Sequence, residues 1–264
     1  MTVLREIATG VHVLRHPVLE VNATLVVGGE AALVVDTLSS ARQAEDLLAA
    51  VRRVTALPLV VVNTHHHFDH VFGNAIFAGV PIWAHEEAAA LIGPALRERA
   101  VLAFPELADE LACTTPTPAT ALVRSAQEIE LGDRTVQLRH FGRGHSIGDL
   151  VAVVPDADLL IAGDLVEQSG PPQFDDAYPL DWPDTVAGLL ALLTADSQVV
   201  PGHGAVTDRR FVRAQHEQLA DLAWLIREGD ADGAPAERVA AKSAFPQEIA
   251  LPAVRRGYLH LNQP

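Results

Sequence analysis

The stretch Asn63-Thr64-His65-His66-His67-Phe68-Asp69-His70 holds four of the chain's 12 histidines within six positions. It follows the apolar run Leu59–Val62, which predicts a short buried strand, and the carboxyl ends of such strands are where open α/β sheets place ligands. Residues two apart in an extended segment point the same way, so His65 and His67 are expected to present two imidazoles to one ion. The Asp69-His70 pair follows at the turn and can reach a second position nearby. Imidazole and carboxylate together suit Zn²⁺, with Fe²⁺ or Mn²⁺ as alternatives.

Three further candidate ligands each come directly after a predicted strand. His145 lies in a glycine-rich loop, Asp164 follows Ala162-Gly163, and His203 lies in Pro201-Gly202-His203-Gly204. A single sheet edge could gather all three beside the first group. One metal ion would need at least one of them as a further ligand, and two ions would need several plus a bridging group.

The chain before this cluster predicts strands, then a helix, then a strand. Gly28-Gly29 predicts a hairpin, because two-residue hairpin turns need a positive φ that glycine adopts readily. A helix is expected to run from a Ser39 or Ser40 cap to Val54. Strand, helix and strand at this spacing indicate a crossover unit. The early strands are expected at Val11–Arg15, Thr24–Val27 and Ala31–Val35.

One α/β domain is expected over residues 1–264, since this length supports a single large core. Within it, residues 86–120 predict a helical insertion that helps to bind the substrate, and residues 205–264 predict a mostly helical C-terminal segment. The proline-rich stretch Gln168–Trp182 is expected to be irregular, as lids and binding loops often are. Later strands are expected at Glu128–Leu131, Thr135–Phe141, Leu150–Val154, Leu159–Ala162 and Gln198–Val200, with a helix near Thr185–Leu193.

Composition disfavours several functional classes. The 264 residues carry 34 acidic side chains against 19 basic ones, a formal charge of −15, which argues against a nucleic-acid partner. The single cysteine, Cys113, cannot form an internal disulfide. Neither a signal peptide nor an apolar run of roughly 20 residues is visible. We therefore expect a cytoplasmic protein without a membrane partner, and leave its oligomeric state open, a homodimer included.

Taken together, the motifs resemble the metallo-β-lactamase-fold superfamily of binuclear metallohydrolases. They occur in the family's order across residues 65–203. The resemblance implies a four-layer αββα sandwich, in which two sheets pack face to face with helices outside. The motifs that carry it are His65-x-His67-x-Asp69-His70, Gly144-His145-Ser146, Gly163-Asp164 and Pro201-Gly202-His203-Gly204.

The resemblance also implies a zinc-dependent hydrolase with two Zn²⁺ ions, iron or manganese being alternatives. A divalent metal lowers the pKa of bound water from 15.7 to roughly 7. A hydroxide held by two metals would then attack an acyl carbon in a small-molecule ester, thioester, lactone or lactam. Asp69 is expected to orient that hydroxide and to pass its proton to the leaving group. By the same resemblance, His65, His67 and His145 would bind the first metal, Asp69, His70 and His203 the second, and Asp164 both.

Three neighbours of these ligands each have two interpretations. His66 should point away from the ligand side of its strand, which favours a supporting or surface role over ligation. Asp36 matches a family position. It would either hydrogen-bond the stretch 63–70, called the ligand loop below, or cap the following helix. Asp149 would either brace the loop that carries His145 or begin a strand.

The absence of a cysteine from the candidate ligands limits which branches of the superfamily the chain resembles. Cys113 lies far from every motif, which disfavours the lactamases with a cysteine ligand. The His70 and Asp164 pattern is more similar to the thioesterase and lactonase branches, although the tyrosine expected soon after Asp164 in lactonases is absent and Tyr178 is the nearest. Two other classes stay open. One is a mononuclear iron oxygenase of this fold acting on a persulfide, and the other is a metal-binding protein without catalysis.

Two segments are expected to select the substrate. Apolar side chains in residues 88–120 and aromatic side chains in residues 168–182 could form a wall for an apolar acyl or ring group, but ordinary packing explains each of them equally well. An anionic glutathione thioester would need a basic anchor, for which several arginines are candidates. The wall candidates are Leu91, Leu96, Leu102, Phe104, Phe174, Tyr178 and Trp182, and the arginines are Arg209, Arg210, Arg213, Arg255 and Arg256.

Overall fold

The structure is a computed structural model that describes residues 3–262. Two mixed β-sheets lie face to face. The first sheet has seven strands in chain order, antiparallel through the fourth and parallel after it. Its strands are β1 (Arg5–Ala8), β2 (Val11–Arg15), β3 (Asn22–Val27), β4 (Ala32–Val35), β5 (Leu59–Val62), β6 (Ile82–His85) and β7 (Ala121–Val123).

Within residues 3–262 the second sheet has six strands. The strands are β8 (Ala126–Glu130), β9 (Thr135–Arg139), β10 (Val151–Val154), β11 (Leu159–Glu167), β12 (Gln198–His203) and β13 (Thr207–Asp208), in the spatial order β13-β12-β11-β10-β9-β8. Of these six described strands, only β11 and β12 pair in parallel.

Helices cover the outer face of each sheet. None of the helices in residues 3–262 has the length and apolarity needed to cross a membrane. They are α1 (Ala41–Val54), α2 (Phe68–Val71), α3 (Glu86–Ala89), α4 (Pro94–Ala103), α5 (Ala108–Ala112), α6 (Trp182–Leu192), α7 (Arg209–Ala231), α8 (Ala236–Ala240) and α9 (Gln247–Leu261), with short 3₁₀ turns between some of them.

Three apolar layers hold this arrangement together. Side chains of both sheets, such as Leu33 and Leu138, interdigitate in the middle. Helix α1 packs Leu47 and Val51 on the outer face of the first sheet, and α6, α7 and α9 pack on the outer face of the second. Burying apolar surface on both sides of two sheets gives four layers, so the expected αββα sandwich with a helical C-terminal region is confirmed.

The hairpin at Gly28-Gly29 forms, but for a different reason from the one expected. Strands β3 and β4 pair antiparallel and the Gly28 N–H donates to the Ala31 carbonyl at 3.0 Å. Neither glycine is among the residues with positive φ. A Cβ on Gly28 would instead lie 2.4 Å from the Leu131 side chain and carbonyl. Glycine is needed there because the turn of the second sheet approaches so closely.

Several element boundaries differ from the expected ones. Helix α6 begins at Trp182, three residues early, and β11 continues to Glu167 instead of ending at Ala162. Strand β7 was not expected, since only one of its three side chains, Val123, is buried. Helix α1 begins as expected, with the Ser40 side chain accepting the Gln43 N–H.

The cap of α7 provides a test of local stability. Asp208 precedes the helix, and its Oδ1 accepts the N–H groups of Arg210 at 2.9 Å and Phe211 at 3.0 Å. Asp208→Ala removes both acceptors, and we expect the free energy of unfolding to fall by about 1 kcal/mol in urea titrations. Asp221→Ala, at an exposed position within the same helix, should change it by less than about 0.5 kcal/mol. Equal losses in both variants would contradict the capping role.

Candidate metal centre

The structure brings together all seven side chains that the motifs single out. They come from the loop after β5, from α2, from the loop between β9 and β10, and from β11 and β12. Their nitrogen and oxygen atoms fall into two groups, in each of which the atoms lie within 4.8 Å of one another. The groups are His65, His67, His145 and Asp164, and Asp69, His70 and His203.

The first group is a triangle of imidazole rings. The ring centroids of His65, His67 and His145 lie 4.7–4.8 Å apart. Nε2 of His145 lies 2.8 Å from Nδ1 of His67. Nε2 of His65 is buried without a hydrogen-bond partner among the described residues. Three nitrogens therefore converge on one position.

The second group joins α2 to the end of β12. Nε2 of His203 lies 3.2 Å from Oδ2 of Asp69 and 3.3 Å from Nε2 of His70. His70 is fully buried, and Asp69 and His203 retain slight exposure toward a cavity. Two imidazoles and a carboxylate thus face a single point beside the first group.

Asp164 on β11 lies between the two groups. Its Oδ1 is 3.1 Å from Nε2 of His70, and its Oδ2 is 3.3 Å from Nε2 of His203. The same Oδ2 is 3.4 Å from Nε2 of His145 and 3.6 Å from Nε2 of His65. One carboxylate therefore contacts imidazoles of both groups, which is the position a bridging ligand needs.

The glycine before His203 makes this arrangement sterically possible. Strands β11 and β12 run parallel, and a Cβ on Gly202 would lie 1.7 Å from Oδ1 of Asp164. No side chain larger than hydrogen fits there, because real Cβ atoms essentially never approach below 3.0 Å. The Pro-Gly-His-Gly motif thus leaves room for the carboxylate.

Asp36 holds the ligand loop through three contacts. Its Oδ1 accepts the Thr64 N–H and its Oδ2 accepts the Thr64 hydroxyl, both at 2.8 Å. The same Oδ2 lies 2.8 Å from Nδ1 of His70. Asp36 has a φ of +64°, a strained backbone that buried hydrogen bonds can maintain. Asp36 supports the loop, and Ser40 is the cap of α1.

Other ring nitrogens are also held from outside the cluster. Nδ1 of His203 donates to the Leu19 carbonyl at 2.7 Å, and Nδ1 of His65 lies 3.0 Å from the Thr64 hydroxyl. Such contacts fix the ring orientation and tautomer, so that Nε2 faces the centre. Leu19 itself has a φ of +59°, a second strained backbone beside the site.

Asp149 braces the loop that carries His145. Its Oδ2 accepts the Ser146 N–H at 2.9 Å, and its Oδ1 accepts the Ser146 hydroxyl at 2.7 Å. Burial raises the pKa of Asp149 to about 7, although the bonds from Ser146 oppose that shift. These contacts support bracing over the simple start of a strand, which begins two residues later at Val151.

The pKa shifts of the histidines differ within the cluster. Burial lowers the pKa of His145 to about 3 and holds that of His65 well below its usual value, so both rings are neutral and offer lone pairs. Burial opposes charge on His70 as well, but the carboxylates of Asp164 and Asp69 raise its pKa well above the usual value. A field that stabilises a proton there also favours a metal cation.

The cluster meets the requirements of a divalent metal centre. Nε2 of His65 is buried without a hydrogen-bond partner within residues 3–262, and an unpaired buried polar atom is costly unless something binds it. The donors are imidazole nitrogens and carboxylate oxygens, the set that suits zinc, iron or manganese. The residues present therefore fit two neighbouring metal ions.

A cavity of about 540 Å³ opens over the cluster. One wall is apolar and contains Leu96 and Phe104, as expected for residues 88–120. The lining also contains five carboxyl side chains and one cation, Arg99. The cavity therefore combines an apolar wall with the candidate metal-binding groups on its floor.

Other expected wall residues lie elsewhere. Leu102 is 82% exposed and Leu91 is 42% exposed. Phe174 and Trp182 belong to the core between the second sheet and its helices, where their ring centroids lie 5.3 Å apart. Tyr178 stacks on His260 at 5.1 Å. None of the five lines the cavity. These aromatic side chains pack within the fold and do not line the cavity.

The five candidate arginines do not form an anchor at the cavity. Arg255 pairs with Glu237, and Arg209 reaches the Leu190 carbonyl. Arg256 donates to backbone carbonyls of the irregular segment. The cavity is lined by none of the five candidate arginines.

Two residues at the site were not foreseen. Glu167 lines the cavity, and its carboxyl lies near Asp164 and His203. Alternation along a regular strand would put residues 164 and 167 on opposite faces, but the register of β11 shifts between Gly163 and Glu167. Asp176 contacts His67 from the irregular segment at 2.9 Å. No local pattern points to either contact.

Comparison with known proteins agrees with this geometry. A model of the metallo-beta-lactamase superfamily matches residues 16–211. Acyl-coenzyme A thioesterase MBLAC2 of Gallus gallus is 31% identical over 159 residues, which cover 55% of this chain and 57% of that protein. MBLAC2 of Homo sapiens is 29% identical over 210 residues, 69% of this chain and 72% of that protein.

More distant proteins share the fold. Metallo-beta-lactamase type 2 of Bacillus cereus is 26% identical over 152 residues, 56% of this chain and 53% of that protein. The chain thus spans a little over half the length of the first curated relatives it matches. Among solved structures, a metallo-beta-lactamase from Pontibacter korlensis superposes with a TM-score of 0.68 at 20% identity, covering 84% of this chain and 100% of that one.

Proposed function

Because this chain belongs to the metallo-beta-lactamase superfamily, we propose that it is a zinc-dependent hydrolase of acyl thioesters with an apolar acyl group. The observation that carries this proposal is the placement of two groups of metal-binding side chains on the floor of a cavity with an apolar wall. His65, His67 and His145 would hold one ion, Asp69, His70 and His203 a second, and Asp164 both.

When bound, the metal ions would supply a water nucleophile at neutral pH and a positive charge that polarises the acyl carbonyl. Asp69 lines the cavity and its Oδ2 lies 3.2 Å from Nε2 of His203. That carboxylate can accept a hydrogen bond from the attacking water, orient it and pass its proton to the leaving thiolate. Asp69→Ala with metal content retained should therefore lower turnover more than substrate affinity.

The apolar wall supports the acyl preference. Leu96 and Phe104 face the cavity from α4 and the residue after it, with Ala100 and Ala103 between them. Such a surface gains free energy for each methylene that it covers. The thioesterase relatives favour a thioester over a lactam, and so does Cys113, which is exposed and belongs to none of the groups of metal-binding side chains.

The test pairs metal analysis with a substrate panel of acyl thioesters, esters, lactones and a lactam. We expect about two equivalents of zinc and the highest kcat/KM on a long-chain acyl thioester. One iron per chain with oxygen uptake on a persulfide would contradict the proposal, as would a lactam being the preferred substrate.

Two variants on the same helix test the role of the wall. Leu96→Ala should lower kcat/KM for a dodecanoyl thioester about tenfold more than for an acetyl thioester, because it removes a side chain that covers the chain's methylenes. Leu102→Ala, whose side chain is 82% exposed outside the cavity, should leave that ratio unchanged. Unchanged chain-length selectivity in Leu96→Ala would exclude this wall as the acyl site.

A further inference from the structure

The carboxylate of Asp176 contacts two adjacent histidines of the ligand loop. Its Oδ1 lies 2.9 Å from Nε2 of His67, and its Oδ2 lies 3.2 Å from Nε2 of His66. Asp176 lies 109 residues from His67 in sequence. Its side chain is 35% exposed and that of His66 only 2%, so the carboxylate covers the ligand loop from the cavity side.

The two nitrogens of His67 face different partners. Nδ1 lies 2.8 Å from Nε2 of His145, inside the first group, and Nε2 faces Asp176. A carboxylate at Nε2 favours the tautomer with its proton there, which leaves the Nδ1 lone pair directed at the metal position.

Helix α9 holds the backbone on both sides of Asp176. The Arg256 guanidinium donates through Nε to the Ala177 carbonyl at 2.7 Å and through Nη1 to the Asp175 carbonyl at 3.0 Å. The ring of Tyr178 stacks on His260 of the same helix with an interplanar angle of 16°. The segment that presents Asp176 is therefore fixed by a helix that lies beyond the residues matched by the family model.

We propose that Asp176 is a positioning residue for His67 and that Arg256 acts on the metal centre through Asp176. This inference rests on the proposed function only in that His67 binds a metal ion. A carboxylate behind a ligand imidazole orients the ring and raises its basicity, and removing such a group weakens metal binding 10–100-fold in characterised sites. The C-terminal helix thus contributes to metal affinity without touching the metal.

Asp176→Asn is the direct test, with zinc affinity as the readout. Competition against a chromophoric chelator should show the tighter-bound zinc becoming about 10–100-fold weaker. Asp175→Asn is the matched control, since its side chain makes no hydrogen bond or ion pair with other described residues, and its zinc affinity should equal that of the parent. Parent-like zinc affinity in Asp176→Asn would overturn the proposal.

Arg256→Ala and Arg255→Ala form a second matched pair on α9. Arg255 donates to the exposed Glu237, so its loss should leave zinc affinity unchanged. Arg256→Ala should weaken zinc binding several-fold, and Arg256→Lys should recover part of the loss. Because Arg256 acts through Asp176, the double variant Asp176→Asn/Arg256→Ala should bind zinc no more weakly than Asp176→Asn alone.

Full additivity in the double variant would contradict the coupling, since a merely structural role of Arg256 would add its effect independently. The melting temperature of each metal-free variant measures any general loss of fold. Zinc affinity also separates this inference from the proposed function. Weakened zinc in Asp176→Asn without hydrolysis by the parent would refute only the activity, and unchanged zinc beside an active parent would refute only the role of Asp176.

Discussion

Asp164→Asn is expected to lower kcat/KM for thioester hydrolysis by at least about a thousandfold, equivalent to about 4 kcal/mol of transition-state stabilisation. The reason is geometric, because the two oxygens of Asp164 contact imidazoles from both ligand groups at 3.1–3.6 Å. Asparagine is nearly isosteric but removes the negative charge and replaces one oxygen by a donor nitrogen. The remaining oxygen can then serve only one of the two candidate metal positions, so the bridge between them is lost.

Metal content and steady-state rates measured on the same preparation decide this prediction. We expect fewer than two zinc ions per chain in Asp164→Asn. Asp156→Asn is the control, since Asp156 is exposed and, among residues 3–262, pairs with Arg134 alone at 2.8 Å, and it should match the parent in zinc content and rate. An Asp164→Asn protein with two zinc ions and a rate within tenfold of the parent would rule out the bridging role.

Chelation is expected to abolish hydrolysis completely and to lower the melting temperature. A ligand whose free concentration is 100 times its dissociation constant stabilises the folded state by about 2.7 kcal/mol. Each kcal/mol of stability shifts the melting temperature by about 2–4 °C in chains of this size. We therefore expect a fall of about 5–10 °C. Removing the ions leaves buried atoms such as Nε2 of His65 unpaired, which works in the same direction.

Readdition of zinc should restore both quantities, measured by differential scanning calorimetry and by the thioester assay. In Asp164→Asn the chelator should produce a smaller shift, because less metal is bound at the start. A parent protein that keeps its activity and melting temperature after its metal has been shown to be gone would disprove a metal-dependent function.

Much of the candidate metal centre could be predicted because six of its seven residues end a strand or follow one, whereas Asp164 lies within β11. Strand periodicity identifies Leu59–Val62 and Gln198–Val200 as buried, and ligand-type residues follow each of them. Parallel strands then bring those ends to one edge of the fold. From the sequence, Asp36 had two possible roles, capping α1 or supporting Thr64. Which role it has depends on its backbone φ of +64°, which the sequence does not predict.

Wall residues could not be predicted in the same way. Leu96 and Leu102 lie on one helix and have the same chemistry, yet one is 6% exposed at the cavity and the other 82% exposed. The choice depends on how α4 packs against Phe68, not on composition. The positions of the aromatic residues in segment 168–182 were equally unpredictable from the sequence. Phe174 and Trp182 fill the core between the second sheet and its helices.

The sequence by itself determined the fold class, the candidate ligand residues and their order along the chain, because strand and helix periodicities are local properties. Only the tertiary structure decided which residues distant in sequence contact those candidate ligands. Asp176 reaches His67 across 109 residues, and a register shift in β11 turns Glu167 toward the cavity. Such contacts depend on the path of an irregular segment and on Arg256 holding it, and no short-range pattern in the chain encodes them.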